Sequence, residues 1–133
     1  MKRNYQVTQI DTDPISIEVK VGTVGIAYSV AYQSKSGGQK TILAESTVQS
    51  GKINKKNVGT SGSLRNSYVM IQTVITLGAA LASDWESIVN NIFIAYTFSG
   101  GFSGKLTFNY DSDDVTISGD GMVAVITKPV EMV

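Results

Sequence analysis

The chain has 133 residues, with 11 basic and 11 acidic side chains, no histidine and no cysteine. Without His and Cys it lacks the usual proton shuttles near neutral pH, the common zinc and transition-metal ligands, and thiol nucleophiles, so whole classes of enzyme and cofactor site are excluded. With 42% hydrophobic and 17% charged residues, residues 1–133 are expected to fold as one domain with its own core.

The branched residues set the class. There are 15 Val and 13 Ile against 5 Leu, with 15 Ser and 12 Thr beside them. Val, Ile and Thr are stiff at the first side-chain torsion and pack well on a pleated surface, so the composition favours strands over a helical bundle. The zero net charge has internal structure. Residues 1–66 hold nine Lys/Arg and four Asp/Glu, a net of +5; residues 67–133 hold two and seven, a net of −5. Copies of such a chain can attract one another if the halves separate in space.

Met1-Lys2-Arg3-Asn4-Tyr5-Gln6 is basic but lacks the apolar stretch of about 7–15 residues that a secretory signal needs, which points to the cytoplasm or to a particle. A first strand is expected near Tyr5–Ile10, followed by a turn at Asp11-Thr12-Asp13-Pro14. Ile15, Ile17, Val19 and Val21 then alternate with Ser16, Glu18 and Lys20, the period-two pattern of a half-buried strand. After Gly22 the alternation resumes, with Val24, Ile26, Tyr28, Val30 and Tyr32 on one face and Gly25, Ala27, Ser29 and Ala31 on the other. Neither face is charged, so this strand is expected to be central and covered on both sides, its small residues admitting a close neighbour or lining a cavity.

Ser34–Gly38 reads as a hairpin connection to a strand over Lys40–Gln49. From Ser50 to Ser63 the chain is polar, with Ile53 and Val58 as its only anchors, and is expected to be the most exposed and mobile stretch. Tyr68–Leu77 reads as a strand with Val69, Ile71, Thr73, Ile75 and Leu77 on one face. The apolar run from Val69 to Ala82 is interrupted by Gln72, Thr73 and Thr76 and is too short for a membrane span. Ser83 and Glu86 stand three apart as in a capping box, and Trp85, Ile88, Val89 and Ile92 recur at helical spacing, so one short helix is expected near residues 84–91. Strand-like segments follow at Ile92–Phe98, Leu106–Tyr110, Val115–Ile117 and Met122–Ile126. About eight strands at short intervals predict an all-β fold, an antiparallel β-sandwich of jelly-roll-like type or a barrel.

Four groups of residues are candidates for function. Gly100–Lys105 resembles a phosphate-binding loop, but Ser99 and Leu106 stand where that motif needs a glycine and a Ser or Thr, so a hairpin is the better reading. Asp111, Asp113 and Asp114, with Asp120 nearby, are the only carboxylate cluster; they admit calcium, although the twelve-residue calcium-loop pattern is not matched. Lys52, Lys55, Lys56 and Arg65 form a basic segment without the interleaved aromatics of a single-strand binder; with the neutral total, this argues against specific nucleic-acid binding. Phe102, at a glycine-rich tip with little chain to bury it, is expected to meet a partner or ligand. Tyr32, Tyr68 and Trp85 are possible sugar-facing rings.

Together these features predict a non-catalytic structural or interaction protein that forms a homo-oligomer without a cofactor. By type alone, that composition is common in virion subunits and secretion-apparatus components. The alternative is a module that binds carbohydrate or a small apolar ligand.

Overall fold

The computed structural model describes residues 3–23, 25–77, 82–118 and 122–133; Val24 and Asp120 lie outside the described residues. The described chain is built from two packed sheets. In order it forms β1 (Arg3–Tyr5), β2 (Pro14–Gly22), β3 (Ile26–Ser34), β4 (Lys40–Glu45), β5 (Ile53–Thr60), α1 (Ser61–Leu64), β6 (Ser67–Thr76), α2 (Trp85–Asn90), β7 (Phe93–Gly101), β8 (Gly104–Asn109), β9 (Val115–Ile117) and β10 (Val123–Met132). Sheet A runs β1-β10-β6-β3-β4, with β9 also on β10, and sheet B runs β5-β2-β7-β8. Every pairing is antiparallel except β1 on β10. Each sheet ends in edge strands, so the architecture is a sandwich and not a closed barrel.

The core follows the alternation. Ile15, Ile17 and Val19 of β2 face Ile94, Tyr96 and Phe98 of β7 along one inner sheet face, and Val69, Ile71 and Ile75 of β6 with Ala124, Ile126 and Val130 of β10 supply the other. Burying such side chains stabilises the fold by about 1.5–3 kcal/mol each, offset by the entropy of ordering the chain. Among the described residues no helix is long and apolar enough to cross a membrane.

Several local expectations are corrected. The polar stretch after Ser50 is an ordered edge strand, β5, and a turn of helix, α1, fixed by buried Ile53, Val58 and Leu64. Its exposure is that of an edge: Asn54–Asn57 face solvent while β2 satisfies one side of the backbone. The helix near residues 84–91 is present as α2, but Ser83 and Glu86 form no capping box; Asp84 is the N-cap and its side chain makes no capping bond. The capping boxes form instead at Thr60/Ser63 and Asp111/Asp114.

Strand β3 shows the main difference. Its small face does point inward, and Ala27 receives the close neighbour: Ala27 N donates to Gln49 O at 2.8 Å, and a Cβ on Gly51 would lie 2.8 Å from Ala27 Cβ. Farther along, Ser46 is buried against the same face, its Oγ accepting from Ser29 N at 2.9 Å. The large face points outward, leaving Ile26 55% and Tyr28 46% exposed, so within this subunit β3 is covered on one side only.

Candidate interaction surfaces

The outer face of sheet A is the largest feature that secondary structure alone does not explain. Backbone pairing aligns Tyr28 with Val74 and Val74 with Val125, Val30 with Gln72 and Thr127, Tyr32 with Met70 and Pro129, and Ile26 with Thr76 and Val123. These outward rows of β3, β6 and β10 hold aliphatic, aromatic and neutral polar side chains, with one charge, Glu131, at the end of the β10 row opposite Tyr68. Ile42 of β4, opposite Tyr32, extends the patch. Charges stand at its rim, each engaged: Lys40 Nζ lies 5.3 Å from the centre of the Tyr32 ring, Tyr28 Oη donates to Glu45, and Tyr68 Oη donates to Glu131 Oε2 at 3.1 Å.

The inner face of the same sheet carries polar groups. Ser29 Oγ lies 2.8 Å from Thr73 Oγ1, and Gln33 Nε2 donates to Ser63 O at 2.8 Å and Ser67 Oγ at 3.0 Å. Deepest is Lys128, fully buried on the inward row of β10. On its far side β10 pairs β9 over Ala124–Ile126 and β1 over Val130–Met132, leaving a gap between them. The 3₁₀ turn Ser112–Asp114 brings its carboxylates to the ammonium at that gap: Lys128 Nζ donates to Asp114 Oδ2 at 2.9 Å and to Asp111 Oδ2, while Arg3 Nη2 donates to Asp111 Oδ1 at 3.2 Å.

This arrangement bears directly on the acidic cluster. The carboxylate oxygens of Asp111, Asp113 and Asp114 do converge, all within 4.8 Å of one another. Two of the three already hold a lysine ammonium, which supplies intramolecularly the positive charge that a calcium ion would bring. The hydrogen bond from Lys128 keeps the Asp111 carboxyl below its usual range. Burial pushes Asp114 up, but the Asp111 amide and Lys128 outweigh it, and its carboxyl also sits low. Tyr96, buried on the inner face of sheet B, has no hydrogen-bond partner for its hydroxyl among the described residues, and burial holds that hydroxyl protonated far above neutral pH.

The remaining candidates are dispersed. Lys52, Lys55 and Lys56 are exposed along the edge where β4 meets β5, with Lys40 on the adjoining strand, while the acidic turn lies across the sandwich beside β10. The exposed lysines and the acidic turn therefore lie at different edges, and the turn is partly compensated by Lys128 and Arg3. Arg65 belongs to the framework: its guanidinium donates to Asp11 Oδ1 at 2.8 Å and to Thr8 O at 2.5 Å, tying down the segment before β2. Phe102 is 75% exposed at the β7–β8 hairpin tip. Gly100, at φ +97°, cannot carry a side chain there, because a Cβ would lie 2.2 Å from Pro14 O.

Tyr32 and Tyr68 share the outer face of sheet A, whereas Trp85 lies past the other end of β6, its Nε1 donating to Leu77 O at 2.9 Å. Tyr68 and Leu77 are nine residues apart, about 30 Å along an extended strand, so the three rings form no common sugar platform. Trp85 instead borders an apolar cavity of about 280 Å³ with Leu77, Val89 and Ile117. The residues missed by sequence reasoning are Lys128 and the outward rows of β6 and β10. Lys128 had a legible signal: it occupies the apolar phase of Ala124, Ile126, Val130 and Met132, where a lysine demands a carboxylate partner.

The chain matches no protein-family model, no curated protein and no solved structure.

Proposed function

We propose that the protein is a non-catalytic structural subunit that assembles with further copies of itself through the outer face of sheet A. One observation carries this reading: three adjacent strands, β3, β6 and β10, present mainly apolar rows outward, charged only at Glu131 on the rim, as well as burying the opposite rows. Strands with apolar residues on both faces are characteristic of sheets covered on both sides, and contiguous apolar patches of this kind mark interaction sites. A second copy is the occupant that fits by charge. A charged face repels its own image, whereas this one brings no like charges together, and its rim carries both signs in Lys40, Glu45 and Glu131. Lys52, Lys55, Lys56 and Phe102 are exposed elsewhere, away from that face.

Light scattering behind size exclusion tests the assembly. The wild-type chain is expected to elute as an oligomer, Val74→Lys as a monomer, and Thr97→Lys, on the outer face of sheet B, like wild type. Raising salt should leave the oligomer intact, since apolar burial is not screened; dissociation by salt would move the interface to the lysine edge. A wild-type monomer at about 100 µM, a concentration at which micromolar contacts are populated, would refute the proposal.

The second reading, a small apolar ligand, is favoured by the cavity beside Trp85. A lipophilic dye whose fluorescence responds to wild type and not to Trp85→Ala would support it.

A further inference from the structure

The opposite face of the sandwich carries a different feature. Pairing between β2 and β5 is interrupted: Ile17 stands opposite Lys56 and Val19 opposite Ile53, so the single residue Glu18 faces two residues, Asn54 and Lys55. Such a bulge re-aims side chains, and bulges are frequent beside binding sites. Here Glu18 and Lys55 line a cavity of about 160 Å³ with Ile17, Thr97, Ser99 and Lys105. Glu18 also borders a neighbouring cavity of about 330 Å³, which adds Lys20 and Lys52. The two form a trough across sheet B with four lysines around one carboxylate. Among the described residues, Glu18, Lys55 and Lys105 form no ion pair and no side-chain hydrogen bond with one another, so their charges remain available to a ligand.

We propose that this trough binds a short acidic oligosaccharide, with a uronate carboxylate between Lys55 and Lys105 and ring hydroxyls donating to Glu18. The lysines demand negative charge. Glu18, an acceptor only when ionised, demands a hydrogen-bond donor in the same ligand. A bare inorganic anion supplies the first and is repelled by Glu18. A neutral sugar supplies the second and leaves the lysines unused, and no aromatic ring lines either cavity for it to stack on. Drug-sized pockets run about 300–1,000 Å³, so cavities of this size suit about one sugar ring each. The site lies on the face opposite the proposed assembly surface, and its success or failure is independent of that reading.

The test is titration of the full chain with a galacturonic acid trimer, followed by amide chemical shifts and by calorimetry. Binding is expected with shifts on β2, β5 and β8, and the methyl-esterified trimer should bind about tenfold more weakly, the scale of one lost charged contact. Lys55→Ala and Lys105→Ala should each lower affinity by about tenfold, with Lys55→Arg retaining it. Glu18→Gln decides the ligand class, because it weakens a ligand that donates hydroxyls to the carboxylate and strengthens a simple anion. Tighter binding by Glu18→Gln together with equal binding of inorganic phosphate would overturn the proposal, as would no response to about 10 mM trimer.

Discussion

The two sheets treat polarity in opposite ways. Sheet B is conventional: Ile15, Ile17, Val19, Ile94 and Phe98 face the core, and Ser16, Glu18, Lys20, Thr97 and Ser99 face solvent. Sheet A is partly inverted, with Lys128, Ser29, Thr73 and Gln33 inside and Tyr28, Val30, Val74 and Val125 outside. Burying polar groups is costly unless each is bonded, and in sheet A the inner ones are. That inversion is what the proposed assembly through sheet A rests on.

The sharpest way to break the contrast is Lys128→Met. It removes the ammonium that Asp111 and the buried Asp114 share and should destabilise the protein by about 3–5 kcal/mol in denaturant unfolding. Thr127→Ala, one residue away on the outward row, should stay within about 0.5 kcal/mol. Equal effects would erase the distinction between the rows. Next in size, Ile71→Ala on the inner face should cost about 2–5 kcal/mol at any protein concentration. Val74→Ala on the outer face, where the side chain is half-buried, should cost less in dilute solution, and more as concentration rises if the proposed assembly forms.

Acid provides a third measure. The Asp111 and Asp114 carboxyls titrate below their unfolded values, so the stability they contribute is complete above about pH 4 and is lost as pH falls through the lowered folded values. Thermal melts from pH 7 down to pH 2 should show that loss for wild type. In Lys128→Met the Asp114 contribution should shrink, since one contact that lowers its pKa is lost while burial, which raises it, remains. Smallest is Tyr96→Phe. Removing the unpartnered hydroxyl from the inner face of sheet B should be neutral or stabilising by about 1 kcal/mol, and a clear loss of stability would reveal a partner for it.

Strand positions were largely legible because alternation is a local signal. The faces of β6 were assigned residue by residue, and the β2 pattern gave the correct inward row. Errors collected where alternation carries no contrast. In β3 both rows are uncharged, so only packing could decide which one met the core. In β5 a polar segment reads as loop, since an edge strand needs only Ile53 and Val58 as anchors and finds its hydrogen bonds on a distant strand. The candidate sites were harder still. Asp111 and Asp114 were visible as a cluster, but their partner Lys128 is set beside them by a gap in a sheet whose strands come from both ends of the chain.

By itself the sequence determined an all-β chain without the usual acid-base and metal chemistry, because residue types and a period of two are local properties. It also determined a basic half and an acidic half. Only the tertiary structure decided that a buried lysine meets the carboxylates of the acidic turn, that the mainly apolar rows of β3, β6 and β10 line up into one outward surface, and that a bulge sets Glu18 opposite Asn54 and Lys55. Each depends on register between strands far apart in sequence, which the packing of two sheets selects and no single segment encodes.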